Sequence, residues 1–187
     1  MSEQDLTGKI ALVTGASRGI GHAIAMELAA HGAIVIGTAT SEAGAQHISQ
    51  DLATVRPDAG KGIVLNVADA DRSREVIDEI QKEYGAIHIL INNAGITQDQ
   101  LAMRMKDEDW DKVIDVNLTA VARLSRGVLR GMMKAKEGVQ VIKTFKVLPG
   151  YTKKWTALTV FYGFLAVFAF MNTATPLTVV IVLFQNH

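Results

Sequence analysis

The run Thr14-Gly15-Ala16-Ser17-Arg18-Gly19-Ile20-Gly21 places three glycines between an apolar stretch and a helical one. Glycines so placed permit a tight turn. They also let backbone N–H groups approach a pyrophosphate lying over the start of the following helix. A glycine triplet alone says little, but one that leaves a strand and enters a helix is the required context for a dinucleotide cradle.

The end of the second strand decides which dinucleotide. An acidic residue there would bind a ribose 2′-hydroxyl. Gly37-Thr38-Ala39-Thr40-Ser41 supplies none before Glu42. Arg18, in the glycine turn, can pair with a 2′-phosphate. NADPH is therefore the expected cofactor; the other reading of Arg18 is an ordinary solvated cation.

Strands and helices alternate around these residues. Ile10 to Thr14 reads as a short buried strand, and Ile20, Ile24 and Leu28 mark a helix that Gly32 stops. Ala33 to Gly37 is a second strand, and Ser41 caps a helix running to about Val55. Gly62 to Val67 reads as a third strand, Asp71 to Tyr84 as a helix with Val76, Ile77 and Ile80 inward, and Ile87 to Ile91 as a fourth strand. Asp107 opens a long helical stretch to about Lys136. Such alternation implies an α/β fold, a doubly wound parallel sheet with helices on both faces.

Charge divides the chain into a body, residues 1–138, and a tail, residues 139–187. The body holds 15 Lys and Arg against all 19 acidic residues, whereas the tail holds four lysines and no acid. Nine of the eleven aromatics also lie in the tail. A mildly acidic body offers no footprint for nucleic acid. The sequence contains no cysteine, which excludes disulfides and thiolate metal sites, and we identify no metal ligands from spacing. The polar start, Met1 to Lys9, carries no secretory signal pattern, so a cytoplasmic location is expected.

The glycine turn, Asn92-Asn93-Ala94-Gly95 and Asn117 together resemble the short-chain dehydrogenase/reductase family. Within it, Gly37 to Ser41, Asn93 to Thr97 and Met103 to Asp107 resemble the bacterial 3-oxoacyl-[acyl-carrier-protein] reductases. The resemblance covers residues 6 to about 138. It implies a cytoplasmic, tetrameric NADPH-dependent reductase of 3-oxoacyl thioesters in fatty-acid synthesis.

The same resemblance implies roles for single residues. Gly15, Ala16, Ser17, Arg18, Gly19, Ile20 and Gly21 would hold the phosphates, and Thr40 the adenosine end. Asn66 and Val67 would lie against the adenine, and Asn93, Ala94 and Gly95 would line the cofactor. Asn117 would bend its helix and hold a water of the proton relay. Lys134 and Lys136 fall where relatives dock the acidic acyl carrier protein; otherwise they are solvated cations at a helix C-terminus.

Hydride transfer to a ketone also needs a proton for the carbonyl oxygen, which this family takes from a tyrosine with a lysine four residues later. No tyrosine here has that partner: His88 follows Tyr84, Trp155 follows Tyr151 and Ala166 follows Tyr162 at the fourth place. Phe145 stands where the family's serine is expected, with Thr144 one residue off its face. Tyr151 with Lys154 is the only substitute, and it follows a Pro149-Gly150 turn signal. Asn117 is thus the one catalytic position retained, the sheet is expected to be incomplete, and the chain is expected to be inactive.

Trp155 to Phe184 carries no charge. A span from about Trp155 to Ala174 has the length to cross a bilayer, with Lys153 and Lys154 as a positive flank. A shifted reading frame or fused foreign segment explains the compositional break and the lost motif together. A membrane anchor, holding the body in the cytoplasm, explains the apolarity alone. A rebuilt soluble core explains neither well.

Overall fold

The computed structural model describes residues 5–99, 101–143 and 178–182. Its elements alternate: β1 (Ile10–Val13), α1 (Gly19–Ala30), β2 (Ile34–Ala39), α2 (Glu42–Val55), β3 (Gly60–Val64), α3 (Ala70–Tyr84) and β4 (Ile89–Asn92). There follow α4 (Asp107–Ile114), a π-helical turn (Asp115–Thr119), α5 (Ala120–Ala135), β5 (Val139–Lys143) and β6 (Thr178–Val182). The six strands form one parallel sheet in the order β3-β2-β1-β4-β5-β6. The order reverses between β1 and β4, which opens a crevice at the carboxyl ends of those strands.

Alternation along β1 builds both faces of the core. Ile10 and Leu12 point to one side, joining Leu90 and the inward residues of α3 and α5, among them Val76, Ile77, Leu124 and Val128. Ala11 and Val13 point to the other, where Ala25, Ala29, Ile48 and Leu52 line α1 and α2. The alanines bring α1 and α2 close to the sheet. At β3 the helix and strand backbones meet directly: a Cβ on Gly62 would collide with the backbone carbonyl of Ala45 in α2.

Most expected elements are present within a few residues, including the Ser41 cap, whose Oγ accepts from the Gly44 N–H at 3.2 Å. Three differ. The third strand begins two residues early and ends at Val64, because Asn66 turns the chain: its carbonyl accepts from the Asp69 N–H at 2.9 Å. The long helix from Asp107 is broken at Asp115–Thr119 by one wider turn.

The third difference lies in the sheet, expected to stop short of a sixth strand. Thr178–Val182 fills that place, pairing in parallel with β5 from Val139↔Thr178 to Lys143↔Val182. Thr-Val-Val-Ile-Val is entirely β-branched and suits a strand whatever else surrounds it. The sheet thus continues across residue 138. The stretch 155–174 lies outside the described residues; among those described, no helix is long and apolar enough to cross a membrane.

Gln140, in the middle of β5, is fully buried. Its Nε2 donates to the Ser125 carbonyl at 3.3 Å, but its Oε1 is buried without a partner. Ser125 lies within α5, so its carbonyl keeps its helical donor. Gln140→Leu should therefore raise stability by about 1 kcal/mol, seen as a higher urea midpoint; an unchanged or lower midpoint would contradict it.

At the amino ends of β1, β4 and β5, His88 Nδ1 accepts the Ile10 N–H at 3.1 Å, while Nε2 faces Glu137 at 3.3 Å. Lys9 grips the same Glu137 at 2.6 Å. Burial holds the His88 imidazole below the ordinary value of 6.5, outweighing the attraction of Glu137. The unfolded chain therefore takes up this proton first. The contribution is complete above that ordinary value and is lost as pH falls through the lower folded one. Unfolding midpoints should drop on acidification from neutral pH, and His88→Gln should flatten that slope between pH about 7 and 5.

Candidate nucleotide site

The glycine turn opens at the carboxyl end of β1. Gly15 and Gly19 hold φ values of 65° and 60°, a left-handed backbone that side chains resist. Arg18 then sits as the extended residue before α1 and makes no side-chain cap. The first N–H groups of the helix have no acceptor within it, and the positive end of its dipole faces the same way. An anion completes such a terminus.

The turn is fastened to β4 by two buried residues. Thr14 Oγ1 donates to the Ile91 carbonyl at 3.2 Å and accepts the N–H groups of Asn93 and Ala94 at 3.0 and 2.9 Å. Asn93 Nδ2 returns the contact, donating to the carbonyls of Thr14 and Gly15 at 2.9 and 3.0 Å. A Cβ on Gly21 would strike that carboxamide and the Gly15 carbonyl. Thr38 anchors the other flank: its Oγ1 accepts the Gly15 N–H at 3.2 Å, and its carbonyl accepts the Ala16 N–H at 2.8 Å. The cradle is thus rigid before any ligand arrives.

The remaining expected residues gather along the same edge. Thr40 follows β2 and is exposed, as is Arg18, with no acid between Thr38 and Ser41. Ser17 lies against the start of α2, its Cβ 3.5 Å from where a Cβ on Gly44 would stand. Asn66 is exposed beyond β3, its Oδ1 held by the Ala68 N–H at 3.1 Å, while Val67 turns inward. Ala94 and Gly95 are half-buried beyond β4.

Asn117 stands in the wide turn, so the expected distortion of its helix is present. Its side chain is committed, however: Oδ1 accepts the Ile96 N–H at 2.9 Å and Nδ2 donates to the Ile96 carbonyl at 2.8 Å. The clasp fixes the loop after β4 and takes up one acceptor site and one donor of that carboxamide.

Three positioning residues were not singled out from sequence: Thr14, Thr38 and Arg123. Arg123 in α5 donates to the carbonyls of Val67 and Ala68 at 3.2 and 3.1 Å, steadying the loop beside Asn66. Hydroxyls inside otherwise apolar strand ends were the signal for the two threonines.

Other expected residues stand apart. Lys134 and Lys136 are exposed at the C-terminus of α5, next to Glu137 and so at the amino edge of the sheet, away from the glycine turn. Tyr84 lies at that edge too, under the Lys61 ammonium at 5.4 Å. Burial raises its phenol above the ordinary value, which opposes the phenolate. Thr144, Phe145, Tyr151 and Lys154 lie outside the described residues.

Comparison with known proteins follows the same map. A family model described as short chain dehydrogenase matches residues 9–147. A 3-oxoacyl-[acyl-carrier-protein] reductase of Escherichia coli (strain K12) is 59% identical over 131 residues, 70% of this chain and 52% of its own. That of Vibrio harveyi is 57% identical over 134 residues, 72% of this chain and 53% of its own. The chain spans about half the length of the curated relatives it matches. A solved structure of a metagenomic short-chain oxidoreductase in complex with NADP shares the fold at a TM-score of 0.85 and 26% identity, covering 98% of this chain and 85% of that one. With the family match running from the first strand through the fifth, the chain belongs to the short-chain dehydrogenase/reductase family.

Proposed function

We propose that this chain binds NADPH at the carboxyl edge of its sheet, and that its 187 residues do not by themselves complete the reduction for which its relatives are named. The uncapped N-terminus of α1, set against the Thr14–Asn93 lock, carries the binding half of this reading. Space fits the cofactor too, since the turn is open at Gly19, where a Cβ would meet nothing within 4 Å, while Gly21 lets α1 close onto Asn93.

Gly15, Ala16, Ser17, Gly19, Ile20 and Gly21 would form the pyrophosphate cradle: the N–H groups of Gly15 and Ala16 are taken by Thr38, so the backbone from Ser17 onward would meet the anion. Arg18 would meet the 2′-phosphate with Thr40 beside it, and the lack of a carboxylate there removes the preference for a free ribose hydroxyl. Asn66 and Val67 would border the adenine. Asn93, Ala94 and Gly95 would border the nicotinamide half, with Asn117 keeping their loop in place through Ile96.

Bound NADPH supplies a hydride, and the chain must then deliver a proton to the carbonyl oxygen. No tyrosine in the sequence has lysine at its fourth following position. A phenol without a neighbouring cation stays protonated and titrates near pH ~10, too weak an acid to serve near neutrality. By kinship the substrate class is a 3-oxoacyl thioester on an acidic acyl carrier protein. Lys134 and Lys136 could meet that carrier, but at the edge opposite the crevice. The chain then acts as a nucleotide-binding protein without turnover.

Two measurements test this reading. Fluorescence titration should show NADPH binding, and Arg18→Ala should weaken it about tenfold or more while leaving NADH nearly unchanged. Equal losses for both dinucleotides would refute the role of Arg18. Purified chain mixed with NADPH and an acetoacetyl thioester should show no NADPH oxidation; steady consumption would disprove the missing acid.

A further inference from the structure

Between α1 and α2, two histidines and one carboxylate converge. His47 and Asp51 lie one turn apart on α2 and so share a face, and His22 reaches them from α1. Asp51 Oδ2 is 2.7 Å from His22 Nε2 and 3.4 Å from His47 Nε2. The imidazoles stack with centroids 6.1 Å apart and planes 11° from parallel. One ligand atom from each residue lies within 4.8 Å of the others.

We infer that His22, His47 and Asp51 form a binding site for one divalent transition-metal ion of the zinc class, clipping α1 to α2. The donor set selects the ion. Imidazole nitrogens suit zinc, nickel and copper, whereas calcium and magnesium seek shells of oxygen. Bonds of about 2.0 Å in a tetrahedron set neighbouring ligands ~3.3 Å apart. The His47–Asp51 spacing already matches. The His22–Asp51 contact is a hydrogen bond, and it widens as the ion takes the place of the shared proton.

Access and support are both in place. The side chains of His22, His47 and Asp51 are 30%, 59% and 28% exposed, so an ion enters without unfolding and a water can complete the shell. Packing between the helices and the sheet rests on Ala25, Ala29, Ile48 and Leu52 rather than on these polar groups. The triad is therefore free to serve a ligand. Spacing in the sequence conceals it, because the ligands come from two helices separated by β2.

The untagged full-length chain is titrated with Zn2+ by calorimetry, with Co2+ in its place for absorption spectra. The expected result is one zinc per chain, a higher unfolding temperature with zinc than without, and visible cobalt bands of tetrahedral intensity. Mg2+ should change nothing. His47→Ala removes a largely exposed side chain; it should keep the metal-free unfolding temperature but bind zinc at least about tenfold more weakly. His22→Ala should do the same. No zinc uptake by the wild type would overturn the assignment and leave a histidine–carboxylate hydrogen bond. So would a His47→Ala protein that binds as tightly as the parent.

Discussion

Everything at the nucleotide edge depends on the reciprocal bond between Thr14 and Asn93. A parallel sheet joins its strands by backbone bonds along their length but offers nothing beyond their carboxyl ends. Here a buried hydroxyl and a buried carboxamide continue the pairing past the last strand residue. Without them the glycine turn would be free to relax into the crevice. With them, and with Gly15 and Ala16 tied back to Thr38, the turn is held at a helix terminus that wants an anion.

Around this lock, the structure divides labour by depth. The alanine-lined face lets α1 lie close to β1, which brings the helix dipole to bear on the crevice. The other face is packed with larger side chains from α3 and α5 and supplies bulk stability. Arg123 and Asn117, both on the helical stretch beyond β4, reach back to fasten the loops after β3 and β4. Loops that must receive a ligand are thereby held from behind, leaving their front open.

Much of this was legible in the residues. Periodicity placed β1, α1, α2 and α3, and the strand-to-helix setting of the glycines located the crevice. Thr14, Thr38 and Arg123 escaped notice because their partners are distant in the chain, 77, 23 and 56 residues away along the bonds they make. Asn117 was noticed by kinship, but its grip on Ile96 could not be read from spacing. β6 escaped for another reason. An apolar run near other apolar runs looks alike whether it lies in a sheet or elsewhere, and only its pairing with β5 tells them apart.

The bare backbone at Gly62 has a consequence for how this protein can vary. Edge strands usually tolerate exchange, since one face looks onto water. Here α2 rests directly on the strand, with the Ala45 carbonyl where a methyl would stand. Any replacement would lever that helix outward, and its leading end carries Ser41 next to Thr40. A change at the rim of the sheet would therefore be felt at Thr40, the proposed adenosine end, so that this position couples folding to the shape of the nucleotide edge.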